Sequence, residues 1–226
     1  MRNKLIYRST LFLASLIISL IILTGCSFSL FGTRGSGVFK TESREITTFS
    51  SISFKSVGKL NVIQDGKESL TIMAEDNILP ILESHVSDQT LYISNEDKSS
   101  INPTKPIEFV VEVKSLEKLE VNGVGSIKVS SIQGKRLSVS LDGVGSVAIA
   151  GNVDVLDLDL SGVGSFNGEE LKAKQAKVRN KGVGNAVVNV SEQLEASVSG
   201  IGAIEYIGSP QVKESVKGLG GIKKKI

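Results

Sequence analysis

The sequence predicts an all-β fold in which short coils stack into a parallel β-helix, or β-solenoid. Three observations carry that expectation. A glycine–aliphatic–glycine motif recurs six times, starting at Gly123, Gly143, Gly162, Gly182, Gly200 and Gly218. Its spacings of 20, 19, 20, 18 and 18 residues are too short for helix-pair repeats and suit one turn of a solenoid. Apolar residues also alternate on both sides of the motif, as in Leu137, Val139 and Leu141 before Gly143 and Val147 and Ile149 after it. A period of two marks a strand with one buried face. Finally, the charges match when coils are stacked in register. Five places before each first glycine the column reads Lys118, Ser138, Asp157, Lys177, Glu195, Lys213; three places before, it reads Glu120, Ser140, Asp159, Arg179, Ser197, Ser215. Parallel stacking sets Asp157 beside Lys177 and Asp159 beside Arg179, with no like-charged neighbours. Each opposite pair on adjacent strands contributes about 0.2–1 kcal/mol.

In chain order, residues 1–25 read as a secretory leader. Arg2, Lys4 and Arg8 form its basic start, and Leu11 to Leu23 is an apolar and small-residue run. That run falls well short of the roughly 20 residues that cross a bilayer as a helix, so it reads as a signal core. Leu23-Thr24-Gly25-Cys26 resembles a bacterial lipobox. The resemblance implies cleavage before Cys26, a thioether-linked diacylglycerol on it and acylation of the new N-terminus. Cys26 is the only cysteine, which leaves no intramolecular disulfide. Acyl chains at about 0.8 kcal/mol per buried CH₂ hold a protein to a membrane without a spanning helix. Ser27 follows, and by analogy with Gram-negative sorting a non-acidic residue there points to the outer membrane. Residues 26–37 end in Gly and Ser and read as a lipidated tether.

Residues 38–116 lack the paired glycines but carry strand signals. The stretch from Lys59 to Ala74 reads as a hairpin turning at Asp65-Gly66. Residues 75–86 read as a short helix with Pro80 early in it. Thr90–Ser94 and Ile107–Val113 are further strands, the second placing Ile107, Phe109, Val111 and Val113 on one face. This half is expected to cover the first coil, whose free edge would otherwise invite strand addition. Residues 117–222 are the glycine-cornered coils. The corner glycines are Gly123, Gly125, Gly143, Gly145, Gly162, Gly164, Gly182, Gly184, Gly200, Gly202, Gly218 and Gly220. Glycine reaches φ > 0 there without a Cβ clash. The residue between each pair, Val124, Val144, Val163, Val183, Ile201 or Leu219, is expected to point inward as one aliphatic column. Asn180 and Glu214 occupy inward positions, and Gly168 stands where an apolar residue belongs. Residues 223–226 form a basic tail.

The lipobox, the early strand region running from Phe49 to Ser94 and the repeated glycine–aliphatic–glycine–Ser coils together resemble the auto-transporter adhesin head domain family, also called the GIN domain or DUF2807. The resemblance covers about residues 38–222. It implies a right-handed, solenoid-like all-β fold in secreted or cell-surface bacterial proteins, and it supplies no catalytic residues.

The residues themselves point to no enzyme. His85 is the only histidine and has no cysteine or second histidine to share a metal. The glycine motifs recur and do not open a helix, unlike a dinucleotide fingerprint. Asp154, Asp157 and Asp159 form the best acidic cluster for Ca²⁺, yet Lys177 and Arg179 stand where neutralising partners belong, so no metal or other cofactor is expected. Without the leader, three of the 26 basic residues are lost and the remainder fall one short of the 24 acidic ones. That balance gives no pull towards nucleic acid. Only Tyr92 and Tyr206 among the tyrosines lie beyond the leader, and there is no tryptophan, so sugar stacking platforms are few. The expected function is non-enzymatic adhesion or display at the cell envelope. A receptor for an envelope glycan or protein and a polysaccharide hydrolase or lyase are the alternatives. The expected contacts are the membrane, through the lipid, and a second copy covering the terminal coil.

Overall fold

The computed structural model describes residues 32–96 and 100–225. Thr33–Ile226 forms one compact unit. The leader and the lipobox residues Leu23, Thr24, Gly25 and Cys26 lie outside the described residues. Of the described residues, 72% are strand and 2% helix, with about 5 stacked parallel turns, which makes the fold the all-β solenoid that the repeat predicts.

An N-terminal arm carries β1 (Thr33–Arg34) and β2 (Phe39–Arg44). The first coil follows as β3 (Ser51–Lys55) and β4 (Val57–Gln64). Next come β5 (Ser69–Glu75), a single 3₁₀ turn at Leu79–Ile81, β6 (Leu82–Ser87), β7 (Thr90–Asn95), β8 (Ile101–Asn102) and β9 (Glu108–Val113). The glycine coils are β10 (Lys118–Val121), β11 (Val124–Leu141), β12 (Val144–Leu160), β13 (Val163–Asn180), β14 (Ala186–Val198), β15 (Ile201–Ile207), β16 (Gln211–Val216) and β17 (Leu219–Lys224). Each long strand bends and serves two successive coils.

The register is the one the charge columns require. Lys118 pairs Ser138, Ser138 pairs Asp157, Asp157 pairs Lys177, Lys177 pairs Glu195 and Glu195 pairs Lys213, all in parallel. The stack begins before the paired glycines: β3 pairs β10 and β4 pairs β11, so Val57 and Gly58 lie in register with Val124 and Gly125. β7 and β9 continue the parallel stack beyond β3 and β4. Antiparallel β6 then closes one sheet, and β5 and β2 close the other. The first half therefore supplies both a coil and the expected cover.

Two local expectations change. Asp65-Gly66 turns the chain, but β4 and β5 do not pair with each other, because β9 lies between them, parallel to β4 and antiparallel to β5. Burying Phe109 and Val111 between two strands outweighs the local hairpin signal. Only one 3₁₀ turn forms over the predicted helix, with no side-chain cap. The rest becomes β6, because β7 offers a ladder that six residues cannot match as an isolated helix.

The core is one continuous aliphatic spine with Phe49, Phe54, Phe109 and Phe166 fully buried. Phe54 and Phe109 meet edge to face, 5.4 Å apart, across the coil interior.

The aliphatic column between the glycines exists, but it points outward. Val124, Val144, Val163, Val183 and Ile201 are 47–51% exposed, and Leu219 is 71% exposed. Parity explains the reversal. Leu137, Val139, Leu141, Gly143, Gly145, Val147 and Ile149 form one unbroken alternate series, so the glycines occupy the inward-parity positions and Val144 the outward one. A Cβ on Gly143 would lie 2.0 Å from the Gly123 carbonyl oxygen, and one on Gly145 would lie 1.8 Å from that of Gly125. The corners bring adjacent backbones so close that only glycine fits, and the side chain between them can only face solvent.

The irregular positions also resolve. Gly168 is buried, and a Cβ there would lie 2.6 Å from the Phe166 ring. Phe166 thus fills space that Val147 and Ile149 share in the preceding coil. Asn180 is 1% exposed; its Nδ2 donates to the Gly184 carbonyl at 2.7 Å, while its Oδ1 has no partner. Glu214 pairs with Ala196 in register, yet it is exposed, as is every residue of β16.

Candidate interaction surface

Two features stand on the outer surface of the coils. One is the charged column. Arg179 donates to Asp157 at 2.7 Å and to Asp159 at 2.9 Å, Lys181 donates to Asp159 at 3.0 Å, and Lys177 meets Glu195 at 3.2 Å. Arg179 therefore reaches diagonally to Asp157 instead of leaving it to Lys177. Burial alone would raise the Asp159 carboxyl, but the hydrogen bonds from Arg179 and Lys181 outweigh it and hold the group below the usual range. Asp154 is engaged by Lys174 at 2.8 Å. The three aspartates considered for Ca²⁺ thus each face a cation. Among the described residues, no three His, Cys, Asp or Glu side chains gather in a way that could hold a metal ion.

The other feature is the ladder. Val57, Val124, Val144, Val163, Val183, Ile201 and Leu219 form seven consecutive rungs, the first half-buried and the other six exposed. The twelve corner glycines flank rungs two to seven as two columns without side chains. On one side a depression of about 420 Å³ runs between the ladder and an outer column containing Asp142, Ser161 and Lys181. The main-chain groups of this strip are already used within the stack: Val144 N–H donates to Gly123 O at 3.0 Å and Val163 N–H to Gly143 O at 3.0 Å. The strip therefore offers contact area with few free main-chain donors.

His85 lies on β6, exposed, and stacks on Tyr92 with ring centres 5.0 Å apart. Tyr206 packs against the end of the core, partly buried.

A site that sequence reasoning missed is a carboxylate clasp. Glu75 is 1% exposed. Its oxygens accept from Gly37 N–H at 2.7 Å, Thr104 N–H at 2.9 Å and the Thr104 hydroxyl at 2.6 Å. Asn77 reinforces it, donating to Arg34 O at 2.8 Å and accepting from Ser36 N–H at 2.9 Å. Residues 33–37, read as the end of a tether, are thus fastened to the domain. The Thr104 hydroxyl chiefly, with the Thr104 and Gly37 amides, holds the Glu75 carboxyl below its usual value despite burial. A depressed carboxyl stabilises the folded arm fully above its ordinary value of 4.5 and loses that contribution as pH falls through the lowered one. The arm is expected to stay docked above pH 4.5 and to loosen as pH falls below that ordinary value. Glu75→Gln is expected to speed amide exchange over residues 33–37 about ten-fold at neutral pH while leaving the coils unchanged.

Among the described residues no helix is long and apolar enough to cross a membrane. A capped parallel β-solenoid with an exposed aliphatic ladder is the class of protein defined here. The chain belongs to the family described as "Putative auto-transporter adhesin, head GIN domain", which matches residues 48–210. Solved structures share the fold. A protein from Bacteroides fragilis described as a putative adhesin is 27% identical, with a TM-score of 0.72 over 86% of this chain and 100% of that one. Two proteins from Parabacteroides distasonis, described as a putative adhesin and a putative lipid binding protein, are 18% and 19% identical, with TM-scores of 0.56 and 0.54; each match covers 85% of this chain and 99% of the other. None of the curated proteins matches the chain.

Proposed function

We propose that this protein is a non-enzymatic adhesion domain displayed at the cell envelope and held there by lipid on Cys26, at the outer membrane. The observation that carries the reading is the exposed aliphatic ladder on a rigid in-register stack. A soluble domain rarely leaves so regular an apolar strip uncovered unless something docks on it. The charged residues that an enzyme would need are engaged with one another in the column around Arg179. Family membership supports adhesion as the class of role.

The test uses cells displaying the full chain. Adhesion to neighbouring cells is expected to fall at least ten-fold when Val144 and Val183 are both replaced by Lys, substitutions at exposed positions that leave the core untouched. Cys26→Ser is expected to release the protein from the membrane fraction and remove the N-terminal acyl mass. Unchanged adhesion in the lysine variant would overturn the reading. Product release from envelope polysaccharide, lost on replacing Asp157 and Asp159, would establish the hydrolase or lyase instead. Glycan-array binding independent of the ladder would establish a receptor.

The last described coil offers a second surface, the one expected to be covered by another copy. Lys213, Lys217, Lys223, Lys224 and Lys225 stand there with Glu214, Lys223 being paired to Glu205 at 3.0 Å and Lys225 to Glu169 at 2.8 Å. Two copies meeting at that edge would bring like charges together, a device that discourages edge pairing.

A further inference from the structure

We propose that the end of the stack carrying β2 is a membrane seat, pressed against lipid headgroups so that the coils stand upright and the terminal coil lies farthest from the bilayer. This orientation rests on the reading of Cys26 as the lipidated residue.

Topology places the arm at that end. From strand to neighbouring strand the order is β2, β5, β9, β4, β11, β12, β13, β14, β15 and β17. β2 is therefore outermost, and among the described residues it pairs only β5. The arm that leads back towards Cys26 is fastened at the same end: Thr33 N–H donates to Ser100 O at 2.8 Å, Gly35 N–H to Asn102 O at 3.1 Å and Gly37 N–H to Glu75 at 2.7 Å.

The clasp also sets the length of the leash. Cys26 lies seven residues before Thr33, a span of at most about 25 Å when fully extended. Without the clasp the first strand residue held would be Phe39, 13 residues from Cys26, and the span would reach about 46 Å. Docking the arm thus shortens the leash by almost half. A contact too weak to hold a free domain persists when the tether keeps it at high effective concentration.

The surface at this end suits a headgroup boundary. Val38, just before β2, is 55% exposed, and Met73 on β5 is 39% exposed. Phe39, Met73 and Pro106 line a shallow hollow of about 370 Å³ with Lys59, Lys105 and Glu108. The Lys105 Nζ lies 5.0 Å from the centre of the Phe39 ring. Apolar side chains rimmed by amines meet the acyl boundary while the amines reach phosphates. The unpaired edge of β2 adds main-chain N–H groups that headgroup oxygens accept. Around β2, Arg34, Lys40, Arg44 and Lys105 balance Glu42, Glu45, Glu75 and Asp76, so seating needs no anionic lipid. The ladder is a poorer seat, because lying on it would carry Asp142 and Lys181 to the hydrocarbon boundary. Upright, β17 stands nine strand spacings from β2, about 43 Å.

Probes on the full acylated chain in phosphatidylcholine vesicles test the orientation. Acylation blocks Cys26, so an introduced cysteine is the one free thiol and takes the fluorophore. A nitroxide on the lipid headgroup is expected to quench Thr41→Cys, on β2, at least about five-fold more than Ser165→Cys, beside the ladder, or Leu219→Cys, on the terminal coil. Adding phosphatidylglycerol is expected to leave that ratio within about two-fold. Val38→Asp with Met73→Asp, both at exposed positions, is expected to lower the Thr41→Cys quenching at least about five-fold with an unchanged melting temperature. The comparison of probe positions stands even if that variant does not fold. Equal quenching at Thr41→Cys and Leu219→Cys, stronger quenching at Ser165→Cys, or no loss in a folded double variant would each overturn the seat. Mass spectrometry of the same sample reads the anchor. A Cys26 without lipid would overturn anchor and seat together, whereas acylated protein quenched elsewhere overturns the seat alone.

Discussion

Gly145→Ala is expected to destabilise the protein by about 3 kcal/mol or more, read as a lower urea midpoint with little change in slope. The new methyl would lie 1.8 Å from the Gly125 carbonyl oxygen, and φ at this residue is +150°, so both space and backbone conformation oppose it. Relief would require the two coils to separate, which breaks the main-chain bonds on either side of the corner. Gly184→Ala is expected to behave alike, since its Cβ would lie 1.5 Å from the Gly164 oxygen. Gly221→Ala is the control. Nothing lies within 4 Å of its Cβ position, and a change within about 0.5 kcal/mol is expected. Equal losses at Gly145 and Gly221 would mean that glycine is needed for chain flexibility and not for close approach.

The second large effect is at Phe166, fully buried beside Gly168. Phe166→Ala is expected to cost about 3–5 kcal/mol, because the ring also fills the space that Gly168 leaves empty. Gly168→Ile alone forces a side chain into the ring and is expected to cost about 1–3 kcal/mol or more. Phe166→Val with Gly168→Ile recreates the Val147 and Ile149 pair of the neighbouring coil. The double variant is expected to be more stable than Gly168→Ile alone, giving a coupling of about 1–3 kcal/mol in a double-mutant cycle. Simple additivity would show that the ring and the glycine are not exchanging volume.

Much of the stack was legible because a one-dimensional repeat writes its own alignment. Once the glycines are superposed, Asp159 falls beside Arg179 without further information, and that pair forms at 2.9 Å. What was lost came from contacts that no local window contains. Sequence alternation continues unbroken through Gly143 and Gly145, but the ban on a Cβ there comes from the coil beneath. The expected inward column therefore fails at Val144, whose parity is outward. The coil at Ser51–Gln64 was hidden because only Gly58 keeps the motif. Ser56 takes the other glycine's place, where a side chain fits and its hydroxyl donates to Asn95 at 2.7 Å. The separation of β4 from β5 by β9 depends on residues 49 positions beyond their β4 partners, as Lys59 and Glu108 are. The Glu75 clasp gave no signal, because its partners Gly37 and Thr104 are ordinary loop residues until the fold brings them together.

Because every winding touches only the ones immediately above and below, height is a quantity the chain can adjust in fixed increments. Inserting or excising one full period changes the reach of the molecule by about 4.8 Å and the number of rungs by one, with no redesign of the lid at the other end. Lineages carrying different numbers of windings would then differ in stature and grip while keeping the same cross-section.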